Sequence, residues 1–323
     1  MKYYQPSLQK LVILMVISLV ILIIHQASYI NDFSLASFSS ESIEVIKKCR
    51  LSDYEIPTDT KSPNTPKIPN LVHQIWKTDD VRTYSIEASQ ESWKTSFEPL
   101  NFTVKLWTED DVLKLIKANY SWLLPTYEGY SQNIQRADVA RLVVVHAEGG
   151  TYADLDVYPI LADKIICLQH LGLQAIFPTM SGNRGLSNHF FMAEKGSDFI
   201  EWALQEVKRR GNRSKRVLLP YVRVFWSTGP LMVTSASQQF LWMYNTASRK
   251  LGVMDEQYRR LVIRHKAGRS WHGPDGQVLN WFADHVDMQI IGLVVGLLAA
   301  SLVVSCIIVR RRRGRGNLLY IES

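Results

Sequence analysis

The chain has 323 residues, 46% of them hydrophobic and 11% aromatic, which excludes a disordered protein and leaves room for one substantial domain with accessories. Its formal charge of +7 invites a nucleic-acid reading, yet residues 310–323 hold five arginines against Glu322, and residues 1–10 hold Lys2 and Lys10. Those two ends account for six of the seven charges, so the body of the chain is near neutral and no nucleic-acid partner is expected.

Taken in chain order, residues 1–10 form a short basic tail, and 11–30 enclose the apolar run Leu11–Ile24. That run has only 14 residues, so a cleaved signal peptide and an uncleaved signal anchor are both open. Lys10 on the N-terminal flank, with no small-x-small site soon after, favours the anchor. Residues 31–66 are rich in Ser, Thr, Asp and Pro, with Pro57, Pro63 and Pro66 breaking regular structure, and read as a stem.

The folded domain is expected over 67–287. Asn70–Trp76 and Phe102–Trp107 have the composition of strands, and residues 85–97 between them have helical spacing. Thr108 is placed as the N-cap of a second helix, with Asp111 in the capping-box position. A third helix over 132–147 is stopped by Gly149-Gly150. Strand alternating with helix predicts an α/β sheet whose ligand site lies at the carboxyl ends of its strands.

Residues 288–309 hold an uncharged stretch, Ile290–Val309, long enough for a transmembrane helix, and the arginine cluster of 310–323 should stay cytosolic. Two spans would place both tails in the cytosol and the domain in the lumen. Sequons at Asn101, Asn119 and Asn212 agree with glycosylation in that compartment. Cys306 falls in the span, so Cys49 and Cys167 are the only lumenal pair, and a disulfide is allowed without being demanded.

The chemistry concentrates in Gly149-Gly150-Thr151-Tyr152-Ala153-Asp154-Leu155-Asp156. Strand alternation would turn Asp154 and Asp156 to one side and Leu155 into the core. Two carboxylates so placed repel unless a cation or several donors sit between them, and a divalent metal carrying a diphosphate is the natural candidate. Asp138 and Arg141, three apart on the preceding helix, share a face; they form either a surface ion pair or a sugar- and phosphate-facing pair. Tyr221, Phe225 and Trp226 beside Arg223 read as a core strand, with docking of a lipid as the alternative.

The run from Gln135 to Ile160, together with Ile68–Trp76, Trp93, Trp107-Thr108, Thr228-Gly229-Pro230 and Ser270-Trp271-His272, resembles the catalytic core of glycosyltransferase family 32 over about residues 67–285. Within it, the small domain, the second span and the terminal Ser-Trp-His look most like the fungal inositol phosphorylceramide mannosyltransferases. The resemblance implies a GT-A fold and retaining transfer of mannose from GDP-mannose held through Mn2+. It makes Asp156 a direct metal ligand and Asp154 a contact to the metal shell and ribose. Asp138 and Arg141 would hold the donor sugar, Trp76 would stack on the base, and Asn188 would lie near the acceptor. Of two late histidines, His272 is selected for the metal shell or diphosphate, ahead of His265. The implied partners are a nucleotide sugar, a sphingolipid acceptor, the bilayer of a Golgi membrane and a separate regulatory subunit. A protein-linked glycan as acceptor, or a catalytically idle partner of a related transferase, stay open as alternatives.

Overall fold

In the computed structural model the described residues are 8–29, 43–53, 66–180, 185–244, 250–266 and 273–285, with Gly296 and Ser301. In chain order the first elements are α1 (Leu8–Ala27), β1 (Ile43–Ile46), β2 (Leu71–Ile75), α2 (Gln90–Phe97), β3 (Thr103–Trp107), α3 (Glu109–Asn119) and α4 (Leu124–Glu128). The middle of the chain gives α5 (Asn133–Glu148), β4 (Gly150–Ala153), β5 (Val157–Pro159), α6 (Ala162–Gln169), β6 (Ala175–Pro178) and β7 (Phe190–Ala193). Then follow α7 (Asp198–Gly211), α8 (Pro220–Ser227), α9 (Pro230–Met243), β8 (Leu251–Met254), α10 (Glu256–Val262), β9 (Ile263–His265) and α11 (Pro274–His285).

Seven strands form one sheet in the order β1-β8-β6-β7-β4-β2-β3. Every pairing is parallel except the two made by β7. Side chains alternate across it: Phe177 and Phe191 join the core on one side with α3, α5, α7 and α9. Ile176, Phe190 and Met192 join the other core with α2, α6 and α10. Sheet faces covered on both sides demand the near-continuous apolar runs these strands carry. The compact unit containing this sheet is Met1–Trp271, and His272–Ser323 forms a second.

Local sequence explains the elements that build the site. Thr108 and Asp111 form the reciprocal capping box at the start of α3. The central helix α5 has Asp138, Arg141 and every residue from Leu142 to Val145 buried, so it has no broad solvent stripe. It stops at Gly149, whose φ of 72° favours glycine.

Three expectations change. The Asp154/Asp156 pair is not on a strand: β4 ends at Ala153, and Asp154 to Asp156 make a turn into β5, closed by Val157 N–H donating to Asp154 O at 2.9 Å. Leu155 is nonetheless buried. The aromatic stretch at 221–226 is helix α8, because Pro220 suits a helix's first turn and Val222 and Trp226 repeat at i, i+4 on its buried side. The segment expected as stem contributes β1 to the sheet edge, and Cys49 in it is disulfide-bonded to Cys167 on α6. Among the described residues no helix is long and apolar enough to cross a membrane. The described side chains of α1 run from Ile13 to Gln26, and the expected span Ile290–Val309 lies almost wholly outside the described residues.

Candidate active site

The turn Asp154–Asp156 stands at the carboxyl end of β4 and is braced from several directions. Asp154 N–H donates to His189 O at 2.9 Å and Ser89 N–H to Leu155 O at 2.7 Å. Trp93 Nε1–H donates to Val157 O at 2.8 Å. Beneath β4, buried His73 reaches Gly149 O through Nε2 at 2.7 Å while its Nδ1 accepts from Trp107 Nε1–H at 3.0 Å. Burial lowers the pKa of His73, and the two contacts together fix a neutral ring with its proton on Nε2.

From this frame a line of charge runs through the protein. Asp138 Oδ2 accepts from Thr228 Oγ1 at 2.9 Å and Oδ1 from Asn188 Nδ2 at 3.0 Å. Arg141 Nη2 lies 3.4 Å from Asp138 Oδ1 and 3.3 Å from Asp154 Oδ1, and Nη1 donates to Asn188 O at 2.9 Å. Tyr152 donates its hydroxyl proton to Asp154 Oδ1 at 2.7 Å. Burial pushes Asp138 upward, opposed by Arg141 and the Thr228 and Asn188 donors. Burial opposes the charge on Arg141, but Asp154, Tyr152, Asp138 and Asp156 more than offset it and its pKa is raised. Asp154 is pushed up to about 6, first by burial and next by Asp156 against the pull of Arg141, although a quarter of its side chain reaches solvent. Among the described residues Arg141 Nε, fully covered, has no hydrogen-bond partner.

Past Asp154 the line continues to Asp156, which is buried, and to His265. The antiparallel pairing of β5 with β9 sets Val157 opposite His265, and His265 Nε2 comes to 3.3 Å from Asp156 Oδ2. The His189 ring stacks on His265 at 4.2 Å between centroids. Burial, then His265, holds His189 neutral, well below the usual histidine range.

Of the residues read from sequence, the structure therefore brings together Asp138, Arg141, Asp154, Asp156 and Asn188. Asn188 holds Asp138 and receives Arg141, so its side chain belongs to the charge line. His272 lies outside the described residues; His265, ranked behind it, is the histidine found at the carboxylate. Trp76 follows β2 at the same sheet end, half-buried, with Nε1–H donating to Thr83 Oγ1 at 2.6 Å and its ring edge-on to Tyr84 at 4.9 Å. Asn101, Asn119 and Asn212 are all exposed.

Sequence reasoning missed Tyr84, whose hydroxyl pKa is raised by burial and then by Asp156 and Asp154. It assigned no role to Thr228, Tyr152 or His189. The motif around Thr228 was visible, but no spacing rule connects it to a carboxylate ninety residues earlier.

Among the described residues no group of three or more His, Cys, Asp or Glu side chains is placed to hold a metal ion. With Asp154 Oδ1 engaged by Tyr152 and Arg141, Asp156 and His265 are the pair that could ligate one. Magnesium-like ions are commonly held by one or two side chains plus substrate phosphates, so this pair fits a cation shared with a diphosphate.

Residues 76–169, which contain the turn and most of the charge line, match the family described as "Glycosyltransferase sugar-binding region containing DXD motif". This segment is a glycosyltransferase DXD region. Over 271 residues the chain is 26% identical to inositol phosphoceramide mannosyltransferase 1 of Schizosaccharomyces pombe, covering 82% of each. It is 26% identical over 231 residues to the mannosyl phosphorylinositol ceramide synthase SUR1 of Saccharomyces cerevisiae, covering 69% of this chain and 57% of that protein. Among solved structures it is similar to the PaToxG glycosyltransferase, with a TM-score of 0.39 and 18% identity over 53% of this chain and 69% of that one. The Asp-x-Asp of the matched segment is Asp154-Leu155-Asp156, and the charge line behind it is what the fold adds to the motif.

Proposed function

We propose that this chain is a membrane-anchored GT-A mannosyltransferase that moves mannose from GDP-mannose to inositol phosphorylceramide, retaining configuration, at the lumenal face of a Golgi membrane. The observation that carries the reading is the buried line Asp138–Arg141–Asp154, which runs within a DXD region to Asp156 and there meets His265 from outside it. The relatives, which are named for mannosyl transfer to inositol phosphoceramide, support the sugar and the acceptor.

Asp138, held in place by Thr228, Asn188 and Arg141, offers its remaining lone pairs to sugar hydroxyls. Arg141 holds the carboxylate turn in place and lends positive charge to the sugar–phosphate linkage. Asp156 and His265 would hold a divalent cation, Mn2+ by family analogy. When bound, that cation stabilises the negative charge left on the diphosphate as the sugar–oxygen bond breaks. Trp76, with Tyr84 at its edge, presents an aromatic face for the guanine base.

The deciding experiment incubates the detergent-solubilised full chain with labelled nucleotide sugars, offering inositol phosphorylceramide and a protein-linked glycan as acceptors. Mannosylated lipid formed from GDP-mannose is the expected product. Transfer to the glycan alone, or from another nucleotide sugar alone, rejects the assignment.

A further inference from the structure

A second surface of the same unit gathers exposed leucines and cations in a stretch of chain that lacks acids. No aspartate or glutamate occurs between Glu206 and Asp255. Residues 212–220 are exposed except Ser214 and Val217, and they include Arg213, Lys215, Arg216, Leu218 and Leu219. Leu218 is 53% exposed and Leu219 41%. Two leucines held open beside three cations have no core to serve, and such mixed patches mark a docking surface.

The N-terminal helix ends on this surface. The Gln26 side-chain amide accepts from Leu218 N–H at 2.9 Å and donates to Arg216 O at 3.3 Å. Tyr29 sets its ring edge-on to Trp226 at 4.9 Å. Before that junction, α1 turns large apolar side chains outward on all sides from Ile13 to Ile24. A helix apolar all round cannot be satisfied by one protein groove; it calls for a medium that surrounds it. Where such a helix leaves lipid, the adjoining residues lie at headgroup level, the place for arginine, lysine and aromatic rings.

We propose that residues 213–219 and the end of α1 form a bilayer seat, which places Asn212 at the headgroups and leaves its sequon without a glycan, so that glycosylation falls to Asn101 and Asn119. Leu218 and Leu219 enter the interface, while Arg213, Lys215 and Arg216 bind the phosphates of phospholipid headgroups. The inference deepens the proposed function and rests on it only for the identity of the acceptor.

The seat is mechanically continuous with the sugar site. Arg223 on α8 donates from Nε to Val217 O at 2.9 Å, and buried Arg210 on α7 donates to Trp226 O at 2.9 Å. At its far end α8 presents Ser227, which accepts from Gln135 at 2.7 Å, and is followed by Thr228, the Asp138 donor. At 1.5 Å per residue the helix spans about 12 Å. A lipid headgroup held at the seat therefore stands one short helix from the group that orients the donor.

The test uses the full chain in phosphatidylcholine nanodiscs, with or without phosphatidylinositol. A fluorophore is placed through Leu218→Cys in a Cys306→Ser background, and lipids carrying a shallow quencher report its depth. A control label through Leu100→Cys sits in the segment that follows α2, on the opposite side of the sheet. Strong quenching at position 218 with little at 100 is expected; equal, weak quenching at both overturns the seat. The triple variant Arg213→Glu/Lys215→Glu/Arg216→Glu should raise the KM for bilayer-embedded acceptor at least about tenfold and leave donor hydrolysis unchanged. An unchanged acceptor KM also overturns it. Quenching at 218 with transfer only to a glycan would keep the seat and remove the lipid acceptor; lipid transfer without quenching would do the reverse.

Discussion

Gly150→Ala tests whether the carboxylate turn depends on the close approach of β4 to β2. Gly150 has φ +104°, and a Cβ there would sit 2.7 Å from Leu71 O and 2.9 Å from Leu71 Cβ. Forcing an L-residue to positive φ costs about 1–2 kcal/mol, and overpacking against backbone adds about 1–3 kcal/mol. The expected loss is therefore about 2–5 kcal/mol, a large part of a typical domain's stability. Gly196→Ala is the matched control, with φ +68° and nothing within 4 Å of its Cβ, so it should lose only the backbone part. Urea unfolding of the full chain in detergent, followed by tryptophan fluorescence, gives both values. The difference isolates the clash. Because β4 delivers Asp154, a shift of about 1 Å there should also cost roughly a hundredfold in sugar transfer, while Gly196→Ala stays near wild type. Equal stability losses in the two variants, with transfer retained in Gly150→Ala, would refute the reasoning.

Asp156→Asn and His265→Gln should each cost about a hundredfold or more in transfer, and the double variant little beyond the worse single one, because both act on one bound cation; steady-state rates at saturating metal check this, and additive losses would separate the two residues. Asp154, at about 6, is ionised above that pH and protonated below it, so donor affinity should fall as pH drops through about 6. Asp154→Asn should flatten that profile, and a donor KM that is constant across the range contradicts the role given to the Arg141 contact. The disulfide closes a loop 118 residues long, for which the chain-entropy relation gives about 5 kcal/mol as an upper bound. Cys49→Ser/Cys167→Ser should lower the urea midpoint accordingly, and reductant should lower it in the parent chain but leave the double variant unmoved.

The sequence made the frame of this fold legible where a local rule applies. The capping box at Thr108 and the glycine stop after α5 have chemical signatures within four residues, and the structure reproduces both. The partners of the site were another matter. Asp138 and Arg141 could be paired from spacing, but Thr228 and Asn188 reach Asp138 across ninety and fifty residues, by tertiary packing that no periodicity encodes. His265 lost to His272 in the sequence reading because its place follows from a two-stranded ribbon, β5 with β9, too short to announce itself. The turn at Asp154 was mistaken for strand since apolar Leu155 between two carboxylates imitates alternation. Helix α8 was mistaken for strand because its aromatic and β-branched residues favour strands, and eight residues are too few for the helical period to outweigh that preference.

Two buried arginine–carboxylate pairs in this molecule show why the charge line is a site and not a strut. Glu206 and Arg210 meet at 2.6 Å on successive turns of α7, and Arg210 spends a further donor on the Trp226 carbonyl. Glu206 accepts from Arg209 as well, so its carboxylate is fully engaged, and the cluster fixes α8 against α7. Asp138 and Arg141 are equally buried yet meet only at 3.4 Å, with Arg141 divided between Asp138 and Asp154 and its Nε left without a hydrogen-bond partner among the described residues. For stability alone, a well-packed apolar pair would serve as well or better, because desolvating two charges costs about as much as their attraction returns. An open, looser and shared arrangement is therefore poor architecture but good preparation for a ligand. It carries spare donors on the arginine and raised carboxylates beside it, and one end of the line lies at the Asp156–His265 pair, where a cation and a diphosphate would complete the charge balance.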